Sequence, residues 1–499
     1  MRFACLLLVL ALAPSTVSAQ SDPDRTVASV IEAFEDAAAL ADASARTTAV
    51  DSVWADLRQH ARIPFVHADT ALFLWKGSAS TVAVAGDATS WRPTATMRRI
   101  GTSDVWMRTD VFPASARLDY KLVLNGSSWI LDPRNPHQQW SGFGPNSELR
   151  MPEWMPSEWT ERKDGVPRGT LSRPMTIQST AYPHAVTYRV WMPAGYDTMD
   201  ELAAVYVTDG HEYADDRLGA MQPVLDNLIA EGRMAPCVVV FIDPRSGGTN
   251  RRQEQYVQNP GFATLVAVDL VSAVDAAYKT RQDREARTIL GTSLGGLFAV
   301  YLGLEHPDVF GNLAPQSPAF WVSSGSLGWT GPTLYDRVSS SPTLPFTVAM
   351  TTGTINDTED GARTMRDTLL ARGVELAYTE VAEGHSWGNW RALLDDILTA
   401  LVPPEGPTYR QLEAPDTGLL LRALPNPSSA PELHFALQRP SAARLDCFDA
   451  RGRSVGRLLD ASIAPGQHRV SLPNLPSGVY ACRLTADQQS ATTLVTTLN

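Results

Sequence analysis

Apolar and polar residues alternate along this chain in three rhythms. Between residues 27 and 60, Ile31, Phe34, Ala38 and Leu40, then Val53, Trp54 and Leu57, recur roughly at helical spacing. From Ala71 to Tyr120 the period shortens. Runs such as Thr81-Val82-Ala83-Val84-Ala85 and Leu118-Asp119-Tyr120-Lys121-Leu122-Val123-Leu124 alternate with turns bearing Gly, Asn and Pro, a pattern that predicts a small β-sandwich. Pro133, Pro136 and Pro145, with Asn135 and Asn146, then mark the exit into a loop-rich linker.

From about Gly169 to Val402 strands and helices alternate. The predicted strands are 203–207, 237–242, 288–290, 347–350 and 376–381. The predicted helices are 264–278, 295–304, 361–372 and 390–401. Such alternation implies a mainly parallel sheet flanked by helices on both faces. Pro403, Pro404 and Pro407 open a second linker, after which β-rich alternation returns as a second small sandwich. The expected boundaries are an export signal at 1–19, a helical segment at 20–60, a β-sandwich at 61–150 and a linker at 151–168. A domain with a mainly parallel sheet flanked by helices follows at 169–402, then a linker at 403–423 and a C-terminal β-sandwich at 424–499.

Composition narrows the function classes. The 499 residues suit two to four domains, and 44% hydrophobic with 19% charged residues is ordinary for a globular chain. A net charge of −12 argues against nucleic-acid binding and against docking on an anionic membrane. Arg2, the apolar run Phe3–Ala13 and the small residues Val17-Ser18-Ala19 have the form of an export signal. That run is too short to span a bilayer, and no later stretch reads as a membrane span. Cys237 lies in an apolar run and is expected in the core. Cys447 and Cys482 sit in strand-like runs and are either a disulfide or two buried thiols.

The sharpest chemical signal is Gly291-Thr292-Ser293-Leu294-Gly295-Gly296, a G-x-S-x-G between a predicted strand and a predicted helix. A nucleophilic serine needs that context. A strained strand-to-helix turn lifts its hydroxyl out of the sheet, and the helix N-terminus, with the N–H of Leu294, faces the developing oxyanion. The hydroxyl is a weak nucleophile and needs a base. In the chain order serine, acid, histidine, the base is expected at His385, after the last sheet strand. By position Asp357, Glu359 and Asp360 all qualify as the acid, and Asp357 is favoured. A second oxyanion donor is expected after an early strand, at the N–H of His211 in Asp209-Gly210-His211. Trp321, Trp387, Trp390 and Arg252 are candidates for the substrate pocket. No metal-ligand or dinucleotide pattern is present, so neither a metal nor a cofactor is expected.

With these residues in view, 170–402 resembles the enterochelin esterase and esterase D branch of the α/β hydrolases. Val207-Thr208-Asp209-Gly210, Gly291–Leu297 and Gly384-His385-Ser386-Trp387-Gly388-Asn389-Trp390-Arg391 carry the likeness, and Arg252–Tyr256 is similar to an Arg- and Tyr-bearing stretch of that group. The resemblance implies a triad of Ser293, Asp357 and His385. Phe73–Gly77 and Arg117–Lys121 resemble the immunoglobulin-like N-terminal domain of enterochelin esterases, a domain type that also precedes bacterial feruloyl esterases. There Trp91, Trp106, Trp129 and Trp140 are a sugar-stacking face, core, or a wall beside the active site. Leu424-Pro425-Asn426-Pro427, Phe448–Arg453 and Gly478-Val479-Tyr480 resemble the sorting domain of the type IX secretion system. That likeness implies the secretion machinery as a partner and a secreted or cell-surface location reached through the periplasm.

The expected function is an exported serine esterase acting on an acyl or feruloyl ester of carbohydrate. The alternatives are a catecholate siderophore esterase, an acyltransferase and a non-enzymatic surface binding protein.

Overall fold

The computed structural model describes residues 25–60 and 62–404. It also describes 421–497 apart from 425–431, 438, 450–452, 465, 473–474, 477 and 487–488. The expected export signal, most of the second linker, Pro425-Asn426-Pro427 and the turn at 450–452 lie outside the described residues. The chain divides into two compact units, 1–404 and 405–499.

The first unit begins with two helices, Val27–Ala39 and Ala43–His60. Thr26 caps the first by accepting from the Ser29 N–H at 3.1 Å. Two sheets follow. The smaller runs in the order Phe65–His67, Thr70–Lys76, Val105–Val111, Arg98–Arg99. The larger runs Ala95–Thr96, Val82–Gly86, Arg117–Leu124, Gly144–Arg150, Gln138–Ser141. Strand Thr70–Lys76 explains the layering, because alternate side chains point to opposite faces. Leu72 and Leu74 meet Phe34, Trp54 and Leu57 of the helices. Ala71, Phe73 and Trp75 turn the other way, onto Val84, Leu118 and Tyr120 of the larger sheet.

Among the described residues, a nine-stranded sheet forms the rest of this unit. Its main strands are β1 (Val186–Met192), β2 (Ala203–Val207), β3 (Cys237–Asp243), β4 (Arg287–Thr292), β5 (Asn312–Gln316), β6 (Thr347–Gly353) and β7 (Leu376–Val381). They lie in the order β1-β3-β2-β4-β5-β6-β7. β1 is antiparallel to β3, and the other pairs are parallel. The apolar runs follow from burial on both faces. Val238, Val240 and Ile242 enter one core, while Cys237, Val239 and Phe241 enter the other. Cys237 is a buried free thiol.

The sequence reading passes over β1 and β5. β1 is amphipathic because it lies near an edge, and β5 (Asn-Leu-Ala-Pro-Gln) has too few apolar residues to signal burial. The predicted helix 390–401 is two helices, Trp387–Ala392 and Leu394–Leu401, broken at Leu393. One stretch, Pro260–Ala277, corrects the expectation that no later segment is long and apolar enough to cross a membrane: by length and composition it is. Here it packs on the sheet, with Phe262, Leu265, Val266, Leu270 and Val274 buried in the core.

The second unit holds a three-stranded and a four-stranded sheet around Leu433, Phe435, Leu445 and Leu484. Cys447 and Cys482 stand opposite each other on neighbouring strands and form a disulfide.

Candidate active site

The G-x-S-x-G segment is the junction of β4 and the helix Leu294–Glu305. Ser293 sits there at φ 58°, ψ −118°, a strained backbone for a residue with a side chain. Crowding explains the flanking glycines. A Cβ at Gly291 would lie 2.2 Å from Thr208 Oγ1, and one at Gly295 would lie 2.3 Å from the same atom. The Ser293 N–H donates to the Gln316 carbonyl at 2.9 Å, and the Ala319 N–H to the Ser293 carbonyl at 2.9 Å. The turn is thus fastened to the end of β5.

His385 arrives from the loop after β7. Its Nε2 is 3.0 Å from Ser293 Oγ, and its Nδ1 is 2.6 Å from Asp357 Oδ1. Once Nδ1 carries the proton toward Asp357, Nε2 can accept from the serine hydroxyl. Asp357, of the three carboxylates that qualified by position, makes this contact. Glu359 and Asp360 lie instead in the first turn of helix Glu359–Ala371. The second oxygen of Asp357 is held by Ser317 Oγ and the Gly353 N–H, each at 2.6 Å, and by Asn389 Nδ2 at 3.3 Å. Ser317 Oγ in turn accepts from Trp390 Nε1 at 2.9 Å. The Trp390 ring stands edge-on to His385 at 4.9 Å.

Leu294 and His211 occupy the first and second positions of their helices, where N–H groups have no acceptor within the helix. Arg252 fixes the His211 loop. Its Nε reaches both oxygens of Asp209 at 2.9 Å, and its Nη2 donates to the Thr292 carbonyl at 3.0 Å. Arg252 lines the cavity, but two of its nitrogens tie the loop to the serine turn. Arg245 and Arg251 are likewise paired, with Asp243 at 2.8 Å and Glu254 at 3.0 Å.

Ser293 and His385 open into a cavity of about 700 Å³. Trp387 and Trp390 line it, largely buried; Trp321 is 57% exposed and is not among the lining residues. Trp91, Trp129 and Phe143 of the N-terminal region add to the wall. Trp106 is core, and Trp140 stacks under Arg217. Among the described residues no cluster of His, Cys, Asp and Glu has the form of a metal site.

The sequence reading missed a buried ionic network beneath His385. Arg117, on the N-terminal strand Arg117–Leu124, is fully buried. It donates to Glu148 at 2.6 Å, to Asp119, and to Ser386 Oγ at 2.9 Å, and it lies 3.6 Å from Glu383. Burial works against its charge, but the three carboxylates outweigh that and raise its pKa above the ordinary arginine value. Glu383 also accepts from Trp154 Nε1 at 3.0 Å. Residues 383 and 386 flank His385, so the N-terminal region grips the loop of His385 on both sides. The signal was slight: Arg117 stands in a strand that otherwise reads as core.

Residues 179–401 match the family described as Putative esterase. The esterase relatives include an iron(III) enterobactin esterase of Escherichia coli O6:H1 (strain CFT073), 28% identical over 45% of this chain and 60% of the relative. An endo-1,4-beta-xylanase/feruloyl esterase of Xylanibacter ruminicola is 23% identical over 43% of this chain and 30% of its own. The chain thus spans less than two thirds of either relative. Among solved structures, the enterobactin esterase of Shigella flexneri crystallised with enterobactin superposes with a TM-score of 0.56 at 21% identity, covering 66% of this chain and 92% of that one. That coverage extends the shared fold beyond the matched esterase segment. Together the family match and these relatives support a carboxylic ester hydrolase.

Proposed function

We propose that the chain is an exported serine esterase acting through an acyl-enzyme, on an acyl or feruloyl ester of carbohydrate. The observation that carries it is the unbroken path from Ser293 Oγ through His385 to Asp357. In this reading His385 Nε2 takes the hydroxyl proton as Ser293 Oγ bonds to the ester carbonyl carbon. Asp357 holds the imidazole tautomer and stabilises the imidazolium. The N–H groups of Leu294 and His211 meet the oxyanion. His385 then protonates the departing alcohol, and water repeats the sequence in reverse roles to free the acid.

An export route is favoured by the signal-like N-terminus and by the Cys447–Cys482 disulfide, since disulfides persist mainly in oxidising compartments. The likeness of the tail to type IX sorting domains favours the secretion machinery as its partner. A catecholate siderophore esterase is the second reading, favoured by the fold shared with the enterobactin esterase beyond the catalytic segment. Against it, Arg245, Arg251 and Arg252 are already paired with carboxylates, which leaves them poorly placed to receive a polyanion.

The test compares wild type with Ser293→Ala on p-nitrophenyl acetate, methyl ferulate, acetylated xylan and a catecholate trilactone. Turnover that disappears with Ser293 and is highest on methyl ferulate or acetylated xylan is the expected result. A preference for the trilactone would replace the substrate class. A folded wild type inert on all four would move the reading to a binding protein.

A further inference from the structure

Glu212 lines the cavity together with Ser293 and follows His211 directly. Its side chain is 24% exposed, and its basic neighbour within ion-pair distance, among the described residues, is His211 at 3.8 Å. Burial holds the His211 pKa below the ordinary histidine value, so that neighbour is neutral near pH 7. Glu212 takes a hydrogen bond from the Trp387 side chain but has no cation committed to it, whereas the nearby carboxylates Asp209 and Asp243 each have an arginine. A partly buried carboxyl without a cation is costly, and such groups cluster at binding sites. The N-terminal sheets make room for it. Gly142 sits against Glu212, and a Cβ there would come within 2.6 Å of Glu212 Oε1. Lys121, Asp119 and His385 share the cavity wall, and Arg245 and Arg252 act on Glu212 through space.

We infer that Glu212 is a specificity-determining residue whose carboxyl takes a hydrogen bond from a hydroxyl group of the bound ester. The proposal rests on the esterase reading above and deepens it. It selects neutral, hydroxyl-bearing esters and disfavours anionic ones. The hydroxyl has two possible sources, a phenol on the acyl group or a sugar on the departing alcohol. Burial, then Asp209, raises the Glu212 pKa to about 7, with Arg252 and Trp387 opposing. The carboxylate, the stronger acceptor, therefore forms as pH rises through that value, and discrimination grows with it.

The experiment measures kcat/KM for wild type, Glu212→Gln and Glu212→Leu on two substrate pairs. Methyl ferulate against its phenol-methylated analogue reads the acyl hydroxyl. Feruloyl arabinose against methyl ferulate reads the sugar hydroxyls. Taking ratios cancels the titration of His385, which both members of a pair share. One wild-type ratio should fall about tenfold or more in Glu212→Leu and less in Glu212→Gln. That same ratio should rise across pH 6 to 8 in wild type and stay flat in Glu212→Gln. Whichever pair responds identifies the source. Ratios unchanged in both variants, with Ser293-dependent turnover intact, overturn the role of Glu212 alone. Absence of Ser293-dependent turnover in wild type overturns the esterase reading and this proposal with it.

Discussion

The serine turn and the histidine loop meet at one hydrogen bond but are built in opposite ways. Ser293 is placed by its neighbours in sequence: a strand, two glycines and a helix, packed against Thr208 and the end of β5. The loop of His385 is held, besides its contact with Asp357, by residues more than 200 positions away. Arg117 reaches Ser386, Trp154 reaches Glu383, and the Arg117 N–H donates to the Ala382 carbonyl at 3.1 Å. The placement of Ser293 is thus a property of the α/β sheet, while that of His385 draws on the N-terminal sheets as well. If so, damage to the sheet should act on chemistry and leave stability alone, and damage to the N-terminal network should act on both.

The largest expected effect comes from inside the sheet domain. In Asp357→Asn the amide preserves shape but favours the wrong imidazole tautomer, so kcat should fall about 10⁴-fold with an unchanged melting temperature. Asp360→Asn, at a fully exposed carboxylate, should leave kcat as it is. Steady-state kinetics on p-nitrophenyl acetate decide this. A comparable loss in both variants would show that the contact seen at 2.6 Å does not select the acid.

Arg117→Met tests the other side. Removing the guanidinium leaves Asp119 and Glu383 buried without their cation, and Glu148 with Arg150 alone, a loss of about 3–5 kcal/mol in stability. Thermal melts should register it, and kcat should fall in the fraction that stays folded. Arg117→Lys keeps the charge but loses the multiple donors, so it separates cohesion from aim. If its melting temperature recovers while kcat and the pH profile of kcat/KM stay displaced, the network positions the base. If both recover together, the network is only glue between the sheets.

The same contrast explains what could be read from the chain. The serine turn is legible because strand, glycines, serine and helix are contiguous, and each constrains the next. The order serine, acid, histidine then points to Asp357 and His385, and the fold brings both side chains to Ser293. Trp321 shows the limit. It follows β5 at a plausible place, yet its ring faces solvent at 57% exposure, and nothing in the local pattern says so. Arg117, Glu148 and Trp154 are invisible for a different reason. Each is an ordinary strand or loop residue until the fold brings it to the loop at 383–386. Arg252 looked like a substrate contact because it is a cation near the site; only its two bonds to Asp209 show that its charge is already engaged.

The smallest effect is the most discriminating. Trp154→Phe keeps an aromatic ring, smaller, under Arg150 and removes the 3.0 Å donation to Glu383 Oε1. Glu383 retains Arg117 as its cation, so the loss should be about 1–2 kcal/mol. If the N-terminal contacts position the base, a fraction of that cost should appear as a few-fold drop in kcat with KM unchanged, because His385 does its work only after the ester is bound. If they only hold the two parts of the unit together, the same cost should appear entirely in the melting temperature. A double-mutant cycle of Trp154→Phe with Arg117→Lys completes the test. Both side chains act on Glu383, so their effects on kcat should be non-additive, whereas two independent fastenings of the sheets would simply add.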